Sequence, residues 1–169
     1  MASYPDIQGL VLYKEEQRFR VTWLWVLLIG LVVFSVVLPL VLTAGEQQSW
    51  KESLYSLLIT VPLESALLYI FYVVQLETIV STEGVYYRWW PFFRKYSFIS
   101  KREIESSIPG RGPVLSYGFH YVLGYGWVHN TGPGDGILFE MTGGKRIFIG
   151  TTDINSFVSA VDKMKSSYP

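Results

Sequence analysis

A long run without any charged side chain, residues 21–45, constrains this chain more than any other feature of its sequence. About 20 residues of apolar helix cross the roughly 30 Å hydrocarbon core of a bilayer. A secretory signal peptide is the alternative, but its apolar core is shorter, about 7–15 residues, and lies nearer the start. Here the polar and mixed residues 1–20 come first. The sequence therefore predicts a retained transmembrane helix over residues 21–45.

A second apolar stretch, residues 54–76, is broken by a single charge, Glu64. Pro39 and Pro62 lie within the two stretches, and proline is tolerated in transmembrane helices when neighbouring groups satisfy the carbonyls that it frees. The polar connection, residues 46–52, is short. The sequence therefore predicts an antiparallel transmembrane hairpin.

Positive charge is distributed unequally around this hairpin. The flanking basic residues are Lys14, Arg18 and Arg20 before it, and Arg88, Arg94, Lys95, Lys101 and Arg102 after it. Between the spans there is only Lys51. Since cytoplasmic loops carry the excess of Lys and Arg, both termini are expected in the cytoplasm, and the protein in the inner membrane of the cell.

Residues 77–169 are predicted to form a separate cytoplasmic domain that begins with strands. β-Branched and aromatic residues predict strands over 77–81 and 85–90, and imperfect alternation predicts one strand over 96–108. Residues 109–113 are expected to form a loop, and the aromatic, glycine-rich stretch 117–129 one or two strands with a bend.

The end of this domain carries the clearest local signals. Gly143-Gly144 suits the turn of a hairpin over residues 137–150, because glycine accepts the positive φ of such turns. Thr151-Thr152-Asp153 then supplies helix-capping side chains. Apolar residues recur afterwards at helical spacing: Ile154, Phe157, Val158, Val161 and Met164. Strands followed by one amphipathic helix predict an α+β fold or a capped barrel.

Two segments at the ends of this domain resemble small bacterial membrane proteins with a PH-like domain. These segments are LETIVSTEGVYYRWWPF (76–92) and GILFEM with GKRIFIGT (136–141 and 144–151). The resemblance covers roughly residues 54–165 and implies two membrane helices followed by a PH-like β-barrel or sandwich, closed by the C-terminal helix. Where that family tends to carry a Gly-Gly-Trp-Gly run, this chain has Tyr117-Gly118-Phe119-His120. The resemblance implies no catalytic residues.

Composition excludes several classes of function. The formal net charge is zero, whereas a general nucleic-acid binder is normally basic. With no cysteine there is no disulfide, thiolate nucleophile or cysteine metal site. The two histidines, His120 and His129, have no clear carboxylate spacing around them and predict no metal site. No catalytic motif is present, so we expect neither an enzyme nor a cofactor.

Glu64 is the most informative single residue, since a charge near mid-membrane costs at least ~2.5 kcal/mol on insertion scales. It can pair with a partner subunit or carry protons or ions. Alternatively, it is protonated and hydrogen-bonded within the hairpin, where Ser35 is the candidate partner.

The run from Arg88 to Arg102 combines five basic residues with aromatic residues and no acid. The basic members Arg88, Arg94, Lys95, Lys101 and Arg102 are candidates for contact with an anionic membrane surface, where each cation gains ~1 kcal/mol. Alternatively, the aromatic residues are core and the charges only face solvent.

The sequence is compatible with three functions. The first is a non-catalytic, membrane-anchored interaction module, such as an accessory or assembly subunit or scaffold of a larger membrane protein complex. The second is a protein that binds anionic lipid surfaces. The third is an ion- or proton-handling protein centred on Glu64. The expected partners are the lipid bilayer and a membrane protein, with no nucleic acid.

Overall fold

The computed structural model describes residues 7–19, 21–45, 49–114 and 116–167. The chain divides into two compact units, one helical (20–73) and one formed by residues 1–19 and 74–169 together. The helices and strands, in chain order, are β1 (Val11–Arg18), α1 (Thr22–Ala44), α2 (Trp50–Val73), β2 (Gln75–Ser81), β3 (Gly84–Trp90), β4 (Ser97–Ser100), β5 (Ile104–Arg111), β6 (Gly118–Val122), β7 (Gly126–Asn130), β8 (Asp135–Met141), β9 (Arg146–Gly150) and α3 (Ile154–Ser166).

The helical unit contains two helices, α1 and α2, of 23 and 24 residues, long and apolar enough to span a membrane. Most of their large apolar side chains are exposed. The second helix begins earlier than the predicted span 54–76, because Ser49 and Glu52 form a reciprocal cap. The Ser49 backbone N–H donates to Glu52 Oε2 at 2.9 Å, and the Glu52 N–H donates to Ser49 Oγ at 3.4 Å. It ends at Val73, and Leu76 belongs to β2.

The other unit is built from two sheets, with strand orders β1-β2-β3-β4 and β5-β8-β9-β7-β6. Neighbouring strands are antiparallel except β7 and β9, which are parallel. The sheets do not close into a barrel, so of the two predicted forms, barrel and sandwich, the open sandwich is present. One core joins both sheets, since Val85 and Ile99 cluster with Phe139, Ile149 and the α3 residue Phe157.

The predicted amphipathic helix is confirmed as α3. Asp153 caps it, because its side chain accepts a hydrogen bond from the Ser156 backbone N–H at 3.1 Å. Phe157, Val161 and Met164 of the predicted stripe are buried in the common core. The helix therefore belongs to the core of the sandwich.

Strand β1 was not predicted, since residues 1–20 were expected to be an N-terminal cytoplasmic segment and no secondary structure was assigned to them. Its Glu15 carboxylate accepts hydrogen bonds from Tyr13 (2.9 Å), Thr151 Oγ1 (2.7 Å), the Thr152 backbone N–H (2.7 Å) and the Gln17 amide (3.1 Å). The buried Gln17 also donates to the Gly150 carbonyl at 2.7 Å. The domain therefore uses chain from both sides of the helical hairpin.

Two details of the predicted strands are corrected. The single strand predicted over 96–108 is divided into β4 and β5 by a short 3₁₀ turn, Lys101–Glu103. Part of the predicted loop 109–113 lies in β5, which is an edge strand and therefore tolerates Pro109, a residue without a backbone donor. The predicted hairpin over 137–150 is confirmed, with Gly143 and Gly144 at φ of 89° and 79°.

Candidate functional site

The helical hairpin contains a polar pair near the middle of both helices. Ser35 Oγ on α1 lies 2.6 Å from Glu64 Oε2 on α2 and 2.9 Å from the Val32 carbonyl oxygen. A hydroxyl has a single proton to donate. The Ser35 hydroxyl therefore shares its proton between the Glu64 carboxyl on the facing helix and the Val32 carbonyl of its own helix.

A second polar contact joins the two helices near the connecting loop. The hydroxyls of Thr43 and Ser53 are hydrogen-bonded to one another. Both hydroxyl oxygens also lie within hydrogen-bonding distance of the Pro39 carbonyl oxygen, Thr43 Oγ1 at 2.8 Å and Ser53 Oγ at 3.2 Å. This contact was not predicted, because isolated serine and threonine residues in an apolar run carry no pattern that predicts their partners.

The five basic residues proposed as one surface do not lie together. Arg94 and Lys95 are exposed in the turn between β3 and β4. Lys101 and Arg102 follow β4 at the opposite end of the sheet, where the Lys101 backbone N–H donates to the Glu83 carbonyl at 2.9 Å. The Lys101 ammonium also donates to the Ser167 carbonyl. An extended strand thus separates the two basic pairs.

Arg88 also departs from the expected surface role, because it is bound to a buried carboxylate. Its Nε donates to Glu77 Oε2 at 2.7 Å, and its guanidinium lies 4.2 Å from the centre of the Tyr96 ring. Burial raises the pKa of Glu77, but the hydrogen bonds from Arg88, Tyr96 and Gln75 together outweigh this effect. The pKa is therefore below its usual value, and the carboxylate is ionised near neutral pH. Arg88 and Glu77 therefore form an internal ion pair.

The last residue of β3 and the turn that follows it, together residues 90–95, present large apolar groups to the outside. Trp90, Phe92 and Phe93 are 40%, 56% and 49% exposed. Arg94 and Lys95 follow them directly. We call this segment the aromatic–basic turn. Its composition was visible in the sequence, but its exposure was not.

A cleft of about 250 Å³ opens between β3 and the β6–β7 hairpin. Its aromatic lining is Tyr87, Trp89, Phe93, Phe119 and Trp127. His129 also lines it and accepts a hydrogen bond at Nδ1 from Trp89 Nε1 at 3.1 Å. Burial lowers the pKa of His129 to about 4, helped by nearby His120. The imidazole is therefore neutral near pH 7, with its proton on Nε2.

The β6–β7 hairpin carries a second exposed apolar surface, formed by Tyr121, Leu123 and Trp127. The rings of Tyr121 and Trp127 pack edge to face across the two strands at 5.9 Å. Leu123, in the turn, is 89% exposed. Contiguous exposed apolar groups of this kind mark interaction sites on proteins.

Similarity to known proteins does not assign a function to this chain. Among the described residues, no group of three or more His, Asp or Glu side chains could hold a metal ion. No protein-family model, curated protein or solved structure matches the chain.

Proposed function

We propose that this chain is a membrane-anchored interaction module that acts without catalysis. A PH-like domain is held at the cytoplasmic surface of the inner membrane by the helical hairpin, as an accessory or assembly subunit or scaffold of a larger membrane complex. The observation that carries the proposal is the insertion of the hairpin between neighbouring strands. It follows β1 and precedes β2, and these strands pair Arg18 with Gln75.

This connectivity favours one membrane topology. Because Arg18 and Gln75 are partners in one ladder, the chain leaves the domain and returns to it at the same place. A chain that crosses the membrane twice returns to the side on which it started, so both ends of the hairpin lie on the same side of the membrane as the domain. The excess of Lys and Arg outside residues 21–73 supports a cytoplasmic location for that side.

Membrane insertion is supported by the surfaces of α1 and α2. The core helix of a soluble domain buries its apolar side chains, whereas few of those on these helices are buried. The open sandwich with a terminal helix, together with the motifs in β2, β3, β8 and β9, supports the PH-like assignment. The exposed surface of Tyr121, Leu123 and Trp127 supports a protein-binding role.

The topology is tested by two matched serine-to-cysteine substitutions, since the chain has no cysteine of its own. Ser49→Cys lies between the spans and Ser166→Cys lies near the end of α3. On intact spheroplasts we expect an impermeant maleimide to label Ser49→Cys within minutes, and Ser166→Cys only after the membrane is permeabilised. The reverse pattern, or labelling of both, contradicts the topology.

Partner binding within the membrane is tested at Glu64. We expect Glu64→Gln to retain associated membrane proteins, because the amide keeps the shape and the hydrogen bonding. Glu64→Leu should weaken association by about 3- to 18-fold, since interhelical hydrogen bonds average ~0.6 kcal/mol and reach ~1.7. The measurement is quantitative mass spectrometry of complexes purified in mild detergent. Ser65→Leu, on the exposed neighbouring residue, controls for added leucine bulk.

Two other outcomes at Glu64 have distinct meanings. If Glu64→Leu and Ser35→Ala destabilise the protein equally and every associated protein stays bound, the pair serves only the hairpin itself. If a strain carrying Glu64→Gln behaves like a deletion strain while every partner stays bound, the carboxyl handles protons or ions. That result replaces the scaffold proposal with the third function.

A further inference from the structure

The aromatic–basic turn lies at the end of the sheet to which the helical hairpin is attached. In the β1–β2 ladder Arg18 pairs with Gln75, and in the β2–β3 ladder Gln75 pairs with Trp90. These three residues form one row across the sheet. The hairpin continues from the first two strands just beyond this row, and the turn continues from the third.

The opposite end of the same strands is far from this row. Strands β2 and β3 are joined there by a tight turn that contains Glu83. β3 has 7 residues, which at about 3.3 Å each amounts to roughly 20 Å. Glu83 and Phe92 therefore lie at opposite ends of one sheet. Labels at these two positions can be compared for their depth in a membrane.

The turn is held in a fixed shape by contacts inside the domain. The Phe93 backbone N–H donates to the Trp89 carbonyl at 2.8 Å, and Arg88 donates to the Arg94 carbonyl at 2.9 Å. The ion pair with Glu77 holds the Arg88 guanidinium in place. The aromatic rings are thus presented by a structured turn, which lowers the entropy cost of binding a surface.

We propose that the aromatic–basic turn is a membrane-binding site that inserts Phe92 and its neighbours into the headgroup layer of an anionic bilayer. This inference rests on the proposed membrane anchor and adds a lipid contact made by the domain. Aromatic side chains favour the interface between lipid and water. Arg94 and Lys95 lie beside them with no acidic residue between 84 and 102, which complements anionic headgroups.

The anchor gives this surface a specific occupant. Because the chain passes from the strands of the Arg18–Gln75–Trp90 row into α1 and α2, a bilayer crossed by those helices is tied by a few residues to the end of the sheet that carries the turn. Each basic side chain near an anionic surface strengthens contact by about fivefold, so Arg94 and Lys95 together contribute about 25-fold. Membrane contact then fixes the orientation of the domain, including the surface of Tyr121, Leu123 and Trp127.

Spin labels on single cysteines in the full-length protein test this proposal. The sites are Phe92→Cys in the turn, Glu83→Cys at the other end of the sheet, and Leu58→Cys on the exposed side of α2. The protein is reconstituted in phosphatidylcholine vesicles with or without about 30% phosphatidylglycerol, a fraction chosen to approximate an anionic surface potential. Power saturation compares collisions with oxygen, which is enriched in lipid, and with an aqueous nickel chelate.

In anionic vesicles we expect Leu58 and Phe92 labels to collide mainly with oxygen, and the Glu83 label with nickel. The Phe92 label should become more aqueous in pure phosphatidylcholine and in Arg94→Glu/Lys95→Glu. The charge-matched control, Arg102→Glu/Lys163→Glu, alters exposed residues outside the turn and should leave the Phe92 label in lipid.

The outcomes separate this inference from the anchor on which it rests. A Phe92 label that is aqueous in anionic vesicles, beside a Leu58 label in lipid, overturns the inference and leaves the turn to a protein partner. A Phe92 label equally deep in both vesicles and in Arg94→Glu/Lys95→Glu overturns binding to anionic lipid. An aqueous Leu58 label overturns the anchor itself.

Discussion

Replacing residues 20–73 with Asn-Gly is expected to yield a folded, water-soluble domain, whereas residues 74–169 alone are expected not to fold. Asn-Gly is the preferred two-residue link between antiparallel strands. Phe19 and Val74 would flank it, directly beyond the paired residues Arg18 and Gln75. The substitution therefore turns β1 and β2 into an ordinary hairpin.

The reason for the expected difference is that β2 depends on β1. All 7 residues of β2 are buried, and without β1 one edge of that strand loses its hydrogen-bonding partners. The loss also removes Glu15 and Gln17, which bind the buried Thr151 hydroxyl and the buried Gly150 carbonyl. Buried polar groups left without partners cost about 1–3 kcal/mol each, which is a large part of the 5–15 kcal/mol that stabilises a domain.

Circular dichroism and size-exclusion chromatography of the two proteins measure this difference. The closed hairpin should give a cooperative thermal transition and elute as a compact species. Residues 74–169 should aggregate or lack a transition. If both fold with the same melting temperature, β1 is dispensable, and the domain begins after the helices as the sequence analysis expected.

Phe157→Asp is expected to unfold the domain in the full-length protein. Phe157 is fully buried in α3 and packs on the rings of Tyr13 and Phe139. Removing a buried phenylalanine costs about 3–5 kcal/mol, and an uncompensated buried charge adds several more. The sum approaches the whole stability of a domain.

Ser159→Asp, two residues further along the same helix, is the matched control because Ser159 is exposed. It should change the free energy of unfolding by no more than about 0.5 kcal/mol. Near-ultraviolet circular dichroism in detergent follows the aromatic core of both variants during heating. An unchanged transition in Phe157→Asp would mean that α3 is not docked through this ring.

The sequence was most informative where one local signal determines an element. The charge-free run 21–45 predicted α1, Gly143-Gly144 predicted the last hairpin, and Asp153 with its apolar stripe predicted α3. Each signal acts within a few residues or along one helix face, so no long-range contact is needed to interpret it. These three elements appear close to their expected positions.

Strand β1 could not be predicted in this way. Its sequence, VLYKEEQR, lacks the apolar alternation of a half-buried strand. Glu15 and Gln17 would be assigned to the surface by composition, yet their partners lie more than 130 residues away, in the segment 150–152. Only the three-dimensional arrangement shows that Gln17 is buried and that Glu15 is hydrogen-bonded to this distant segment.

The prediction that five basic residues form one surface did not take the pairing of the strands into account. Along the chain Arg88, Arg94, Lys95, Lys101 and Arg102 form one run. Strand register places Gly84 opposite Ser100, which sends Lys101 and Arg102 to the far end of the sheet. The ion pair with Glu77 leaves the Arg88 side chain only 20% exposed. By contrast, Ser35 and Glu64 are in contact, because the short loop sets the alignment of the two helices.

The insertion of the hairpin between β1 and β2 also imposes an order on biosynthesis. Arg18 and Gln75 are 57 residues apart, so at about 5–20 residues per second the ribosome needs roughly 3–11 s to deliver the partner of β1. During that interval the helices are made and β1 waits unpaired. If the hairpin spans a membrane as proposed, the sandwich is completed only when both strands are on the same side of that membrane. In the proposed topology, a nascent chain whose second helix fails to insert leaves β1 without its partner, which links the folding of the domain to membrane insertion.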